Sequence, residues 1–316
     1  MGVVTFGNLV MDCILRVENI PDRDEKTFAR SLAMHPGGPA VHFALMMNRL
    51  GRKAKVAGVT GDDGLGGELR RRLSGEGIGT ELIRTLPGQT PLSVILIDPS
   101  GEKRVIIAPS RFRQEDVPPP SSLLACEAGS VQHLHTHLFL PEHVEAALRR
   151  AKAAGIGTSV DIEPSSARRW GPGRAKKALA LADTVFINEA AVRLLFPGEP
   201  SLEDGIRSAA GLGAKTIVCT RGASGSLAMH GDTFFECGAF AVDAKNTLAA
   251  GDIFAAAFVH RLMAGGGAGD ALRFASAASA LAVGRDGDAP HYPPEGEIND
   301  FLRGRHANVQ THGVKP

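Results

Sequence analysis

The strongest constraint on how this chain folds is the alternation that begins at a strand-like run, Ser130 to His137, and continues for some ninety residues. Helical patterns at Pro141 to Ala154, Gly173 to Ala182 and Leu202 to Gly211 are separated by short β-branched runs at Gly157 to Asp161, Thr184 to Asn188 and Thr216 to Thr220. Helices at that spacing connect parallel neighbouring strands, which predicts an α/β fold with a doubly wound, mostly parallel sheet. No linker, low-complexity run or internal repeat interrupts the pattern, so residues 1–316 are expected to form one large domain with a small β-strand appendage.

The N-terminal third supplies that appendage. Val3 to Asn8 reads as a buried first strand ending at a Gly turn. No Gly-x-Gly-x-x-Gly follows it, which argues against a nicotinamide-dependent dehydrogenase. Strand-like segments at Met11 to Val17 and Lys26 to Leu32, and a hairpin of Pro91 to Asp98 with Glu102 to Ala108, predict a lid from about 12–34 and 91–108. Between them, Pro36-Gly37-Gly38-Pro39-Ala40 opens a helix, Val41 to Gly51. Two glycines ahead of a helix let a ligand approach free N–H groups. Asp62 and Asp63 precede the helix at Glu68 to Leu73 and are best read as acids at its positive end, not as metal ligands. Arg104, Arg111 and Arg113 along the hairpin suit bidentate contact with an anionic substrate, although surface arginine is commoner.

Charge and cysteine content narrow the compartments and partners. A net charge of +1 gives no electrostatic reason to expect nucleic acid or an anionic membrane. Cys13, Cys126, Cys219 and Cys237 show no paired spacing, and no apolar run reaches spanning length, so a cytoplasmic, non-membrane protein is expected. His133, His135 and His137 share one face of their strand. Spread over roughly 13 Å, they are too far apart for one metal ion. His135 and His137 instead stand where strand ends meet a ligand crevice.

Asn246 to Phe258 carries the chemistry. A polar, small-residue turn leads into an apolar run without Pro or Gly until Gly265. It is read as a loop opening onto a buried helix that starts near Asp252. The free N–H groups and positive dipole end there suit an anion, and Asp252 would stand beside it as a proton acceptor. On this stretch alone, the plainer reading of Asp252 as a helix N-cap is the stronger one.

The ordered motifs tip that balance. Ala249-Ala250-Gly251-Asp252 resembles the second signature of the ribokinase-like (PfkB) carbohydrate kinases, Asp-Thr-x-Gly-Ala-Gly-Asp, with Asn246 and Ala249 as departures. Gly37 to Gly51 is similar to the family's first signature, with His42 at its Asn position. Asn188 to Ala191 resembles Asn-x-x-Glu, lacking the final acid, and Thr220 to Gly225 matches Thr-x-Gly-x-x-Gly.

The resemblance implies an ATP-dependent kinase acting on a hydroxyl of a small sugar or derivative, with Mg2+ and with a monovalent cation left open. Asp252 would be the general base beside Ala249, Ala250 and Gly251. Asp12, Gly37, Gly38, His42, Lys26, Arg104, Arg111 and His137 would meet the substrate. Asn188, Thr220, Gly222, Gly225, Thr247 and Ala278 would meet the nucleotide, and Glu189 the metal. Lid strands would pair into a homodimer. Two alternatives stand beside this: an impaired ligand-binding or regulatory protein on the same scaffold, and a nucleoside kinase. One Trp and one Tyr leave little to stack a second base.

Overall fold

The computed structural model describes residues 2–101, 103–108, 114–124, 131–305 and 309–313. Glu102, Arg111, Arg113 and Cys126 lie outside the described residues, so the expectations for them are not addressed by it. The chain runs β1 (Gly2–Phe6), β2 (Val10–Val17), β3 (Ala29–Gly37), α1 (Pro39–Arg49), β4 (Lys53–Gly61), α2 (Gly64–Gly75), β5 (Ile83–Leu86), β6 (Leu92–Ile97), β7 (Lys103–Ile107) and α3 (Pro120–Leu123). Alternation follows: β8 (Val131–His137), α4 (Pro141–Ala153), β9 (Gly157–Ile162), α5 (Pro164–Trp170), α6 (Pro172–Leu181), β10 (Thr184–Asn188), α7 (Glu189–Leu195), α8 (Leu202–Ala210) and β11 (Thr216–Thr220). The chain ends with β12 (Ser226–His230), β13 (Thr233–Cys237), α9 (Ala250–Met263), α10 (Ala268–Gly284), α11 (Glu295–Arg303) and β14 (Val309–Gly313).

The large sheet has the order β14-β13-β12-β11-β10-β9-β8-β1-β4-β5. It is parallel from β11 to β5 and antiparallel across β12, β13 and β14. Strand order reverses at β1, which pairs with β4 on one side and β8 on the other. Such a switch point opens a ligand crevice at the carboxyl ends of the strands.

Side-chain alternation sends β1 into both layers. Val3 joins Phe43, Met46, Phe258 and Phe274 from α1, α9 and α10. Val4 and Phe6 join Leu148, Leu179 and Ile206 from α4, α6 and α8. Helix α9 lies between α1 and α10, and Ile253 to His260 are all buried, as expected of a helix apolar on every side. Truncating Phe258 to alanine there would cost about 3–5 kcal/mol. The turn at 249–252 is thereby anchored to the buried α1–α9–α10 core.

A second sheet has the order β3-β2-β6-β7 and covers the crevice. β2 and β6 are parallel, and the outer pairs are antiparallel. Ile14, Ile95 and Ile97 form its small core together with Leu248, from the turn leading to α9. The small sheet is therefore seated on the turn that leads into α9.

Candidate active site

Helix α9 begins at Ala250, two residues before the expected start, and its N-cap is Ala249. Asp252 thus lies inside the first turn, and the plain N-cap reading does not hold. No side chain caps the helix, leaving the first-turn amides of Gly251 and Asp252 for a ligand. A Cβ built on Gly251 meets nothing within 4 Å, so this turn faces open space. Ala249 adopts a left-handed conformation, φ 60° and ψ 10°, where the family pattern has Gly. That geometry costs an alanine about 1–2 kcal/mol, offset in part because its methyl is buried against the α1–α9–α10 core.

Although Asp252 keeps some surface open to the crevice, its surroundings raise its pKa well above the usual carboxylate value. Desolvation is the main cause, reinforced by Asp161 and Glu163 and opposed by Lys103. Asp161, at the carboxyl end of β9, is itself pushed up to about 8 by burial and by Glu163. Asp161 and Glu163 escaped sequence reasoning. The signal available was an Asp-x-Glu at a strand end before Pro164, which matches none of the motifs sought.

Opposite this turn, Asp12 of β2 is buried among polar partners. Ser93 Oγ donates to Asp12 Oδ1 from the neighbouring strand β6. His42 Nε2 lies 3.5 Å from Asp12 Oδ2, and His42 Nδ1 lies 2.8 Å from the Tyr292 hydroxyl. We assign Nε2–H to Asp12 and leave Nδ1 to accept from the tyrosine. Tyr292 stays protonated, since burial first, then the charges of Asp252 and Asp12, raise its pKa well above the usual value. Gly37 is required here: a Cβ would lie 1.9 Å from Asp12 Oδ2. Gly38, at φ 97°, is the N-cap of α1 and abuts the Asn8 carbonyl.

The lid is tied down on both sides. Thr247 Oγ1 donates to the Gly101 carbonyl at 3.3 Å, and Lys103 Nζ donates to the Thr247 carbonyl at 3.2 Å. Across the crevice, Arg16 of β2 pairs with Asp286 at 3.0 Å and Asp288 at 3.1 Å, and Ser31 of β3 donates to Asp288 at 2.8 Å. Asn246 joins the two anchoring loops, its amide donating to the carbonyls of Gly287 at 3.2 Å and Ala289 at 3.4 Å.

Other expected site residues fall into three groups. Thr220, Gly222 (φ 56°) and Gly225 (φ 88°) form the turn between β11 and β12; a Cβ at Gly225 would strike the Cys237 carbonyl at 2.2 Å. Asn188 caps α7 by accepting from Ala191 N at 2.9 Å, and Glu189 is turned toward Arg193, 2.7 Å away. Glu189 is therefore engaged with a cation already, and Ala191 offers no donor. Ala278 is fully buried in α10 and presents no surface to a ligand. His137 is buried against Gly7 and Phe139. Lys26 and Arg104 are exposed, without a hydrogen bond or ion pair to Asp12, His42 or Asp252. In the acid pair of residues 62–63, Asp63 caps α2 by accepting from Gly66 N and also accepts from Thr90.

A buried, uncapped helix start carrying a desolvated acid, faced by polar groups under a lid, describes a phosphotransferase site on a doubly wound sheet. The sequence matches the pfkB family of carbohydrate kinases over residues 2–294. The chain belongs to that family and is a carbohydrate kinase. It is 30% identical to an ATP-dependent ribose-1-phosphate kinase of Halopiger xanaduensis, covering 96% of this chain and 98% of that one. Identity to the ribokinase of Haemophilus influenzae is 26%, covering 95% and 98%. The fold is shared with Thermotoga maritima ribokinase, at a TM-score of 0.76, 22% identity and coverage of 96% and 99%. Among the described residues no helix is long and apolar enough to cross a membrane.

Proposed function

We propose that this kinase transfers the γ-phosphoryl group of ATP to a hydroxyl of a phosphorylated pentose, with ribose 1-phosphate as the first candidate. The observation that carries the reading is Asp252, a desolvated carboxylate one turn into an uncapped helix, facing the buried Asp12–His42–Tyr292 group. In this reading Asp252 accepts the acceptor hydroxyl's proton, which its raised pKa suits. The amides of Gly251 and Asp252 meet charge developing on the transferred group. Asp12 accepts from sugar hydroxyls and His42 holds it in place. The lid, seated on Leu248 and Thr247, excludes water.

Mg2+ bound with ATP would supply positive charge against the phosphates. Such an ion needs only one or two carboxylates besides phosphates and water. Asp161 and Glu163 fit that need, because their crowding of Asp252 is a repulsion a cation relieves. Glu189, held by Arg193, does not.

The phosphorylated pentose is favoured by the ribose-1-phosphate kinase relative. A coupled ADP-release assay over ribose 1-phosphate, ribose, 2-dehydro-3-deoxygalactonate and nucleosides tests it. The expectation is highest kcat/KM for ribose 1-phosphate. Asp252→Asn is expected to lower kcat by two or more orders of magnitude with substrate binding retained. Undiminished turnover in that variant refutes Asp252 as base.

A homodimer through the lid belongs to the same proposal. Phe28 and Leu32, at and just ahead of one edge, and Val105, Ile106 and Ile107 on the other are exposed apolar residues flanking the small sheet. Unpaired strand edges of this kind seek partners. Sedimentation of the wild type and of Ile106→Asp tests it, with a shift to monomer expected in the variant.

A further inference from the structure

A cleft of about 960 Å³ opens between α1, α2 and the segment 289–292. Arg49, Arg71 and Arg72 line it, together with His35, Asn48 and Tyr292. Arg71 and Arg72 both bind Glu68, at 2.7 and 2.6 Å, so two guanidiniums share one carboxylate. Arg49 has no hydrogen bond or ion pair among the described residues. Glu76 also lines the cleft, and with Glu68 and Glu297 three carboxylates stand around its three guanidiniums. The second histidine there, His291, is engaged by Glu297 at 3.2 Å.

The cleft adjoins the substrate side of the active site. Tyr292, its inner wall, is bonded to His42, which contacts Asp12. His35 is the strand partner of Asp12, and burial, followed by the Arg72 charge, lowers its pKa, so it stands there as a neutral hydrogen-bonding group. Arg72 is pinned by hydrogen bonds from Nη1 to the Met34 carbonyl and from Nε to Glu68, with its charge acting on His35. Asn48 is likewise fixed, donating to the Glu76 carbonyl at 2.6 Å. A preset guanidinium and an unpaired one suit a doubly charged, multi-oxygen anion better than a neutral sugar.

We propose that this cleft binds a phosphoryl group, held by Arg49 and Arg72. The phosphoryl arrives on the acceptor sugar, which rests on the phosphorylated-pentose reading above, or as a separate phosphate-bearing ligand.

The test uses the full-length protein and Arg49→Gln, with Arg49→Lys as the conservative partner. Inorganic phosphate binding is measured by calorimetry, and kcat/KM is measured for ribose 1-phosphate and for ribose. A substrate-borne phosphoryl predicts that the preference for ribose 1-phosphate over ribose falls at least tenfold in Arg49→Gln and is largely restored in Arg49→Lys. A separate ligand predicts that phosphate binds the wild type, that Arg49→Gln loses it, and that the preference does not move. Equal phosphate binding by wild type and Arg49→Gln, or none by either, with an unmoved preference, overturns the proposal. If neither sugar is phosphorylated, the pentose reading fails while calorimetry still decides the cleft.

Discussion

The hydroxyl of Tyr292, the only tyrosine in the chain, lies 2.8 Å from His42 Nδ1 and fixes the ring that faces Asp12. The family pattern has an Asn where His42 stands, and an Asn is too short to bridge Asp12 to a residue from the 289–292 segment. Histidine therefore couples the substrate's acid to the cleft wall. Tyr292→Phe removes the only donor to Nδ1 among the described residues and leaves a buried ring nitrogen unsatisfied, at a cost of about 1–3 kcal/mol. The expected result is a several-fold rise in sugar KM with kcat within about threefold of wild type. An unchanged KM would show that the hydroxyl does not position His42.

Asp161 and Asp252 titrate in one another's field. Asp161 is raised to about 8 and Asp252 is raised well above the carboxylate range. A base must be deprotonated, so kcat/KM is expected to fall as pH drops through the raised pKa of Asp252. Asp161→Asn removes a neighbouring negative charge and stabilises ionised Asp252. The acid limb of the kcat/KM profile should move to lower pH by half a unit or more, on the order of neighbouring-charge effects. A limb that stays in place, or moves upward, contradicts the coupling.

Three histidines on β8 tie stability to pH. His133 and His137 are lowered to about 4 by burial, with Asp183 partly opposing this at His133. His135, stacked on Phe43 at 3.7 Å, is lowered well below its usual value by burial and then by the other two. In the unfolded chain each protonates near 6.5. As pH falls from there, the unfolded state takes up protons first. Stability is thus full above about pH 6.5 and lost progressively toward pH 4, by up to about 3 kcal/mol for each of His133 and His137. Urea unfolding at pH 7.5, 6 and 5 measures it, and His137→Gln should flatten the slope. Equal stability at the three pH values would show the histidines to be solvated.

The parallel sheet was legible because its strands and helices alternate with clear periods: Thr184 to Asn188 and Thr216 to Thr220 were bounded to the residue. Short elements without a period of their own, such as α5 and the antiparallel β12–β14 edge, were not, since strand pairing there is decided by tertiary contacts. At the site, Asp12, Gly37, His42 and the turn at 249–252 stood in local motifs, and the structure brings them around one crevice. Tyr292 and Ser93 reach it only through folding, and no spacing in the sequence announces them. Glu189, offered as a stand-in for the acid missing at Ala191, is engaged by Arg193, and Ala278 of the Ala-rich helix is sealed in a helix pair.

Asn246 offers the last test. Its Oδ1 accepts from Leu248 N at 2.9 Å while its amide nitrogen donates to the carbonyls of Gly287 and Ala289, and the side chain is buried. An aspartate here, as the family pattern has, would keep the bond to Leu248 but turn a second carboxylate oxygen toward two carbonyl oxygens. No donor would remain between them. The repulsion and the lost bonds should destabilise Asn246→Asp by about 1–3 kcal/mol. A monovalent cation placed among those three oxygens would restore the balance, so thermal stability of the variant should rise with KCl more than with tetramethylammonium chloride. The wild type, whose own amide already satisfies both carbonyls, should respond equally to the two salts. A wild type that gains stability or turnover from K+ specifically would show that Asn246 does not replace a cation there. An Asn246→Asp protein as stable as wild type without K+ would show that the two carbonyls do not constrain this side chain.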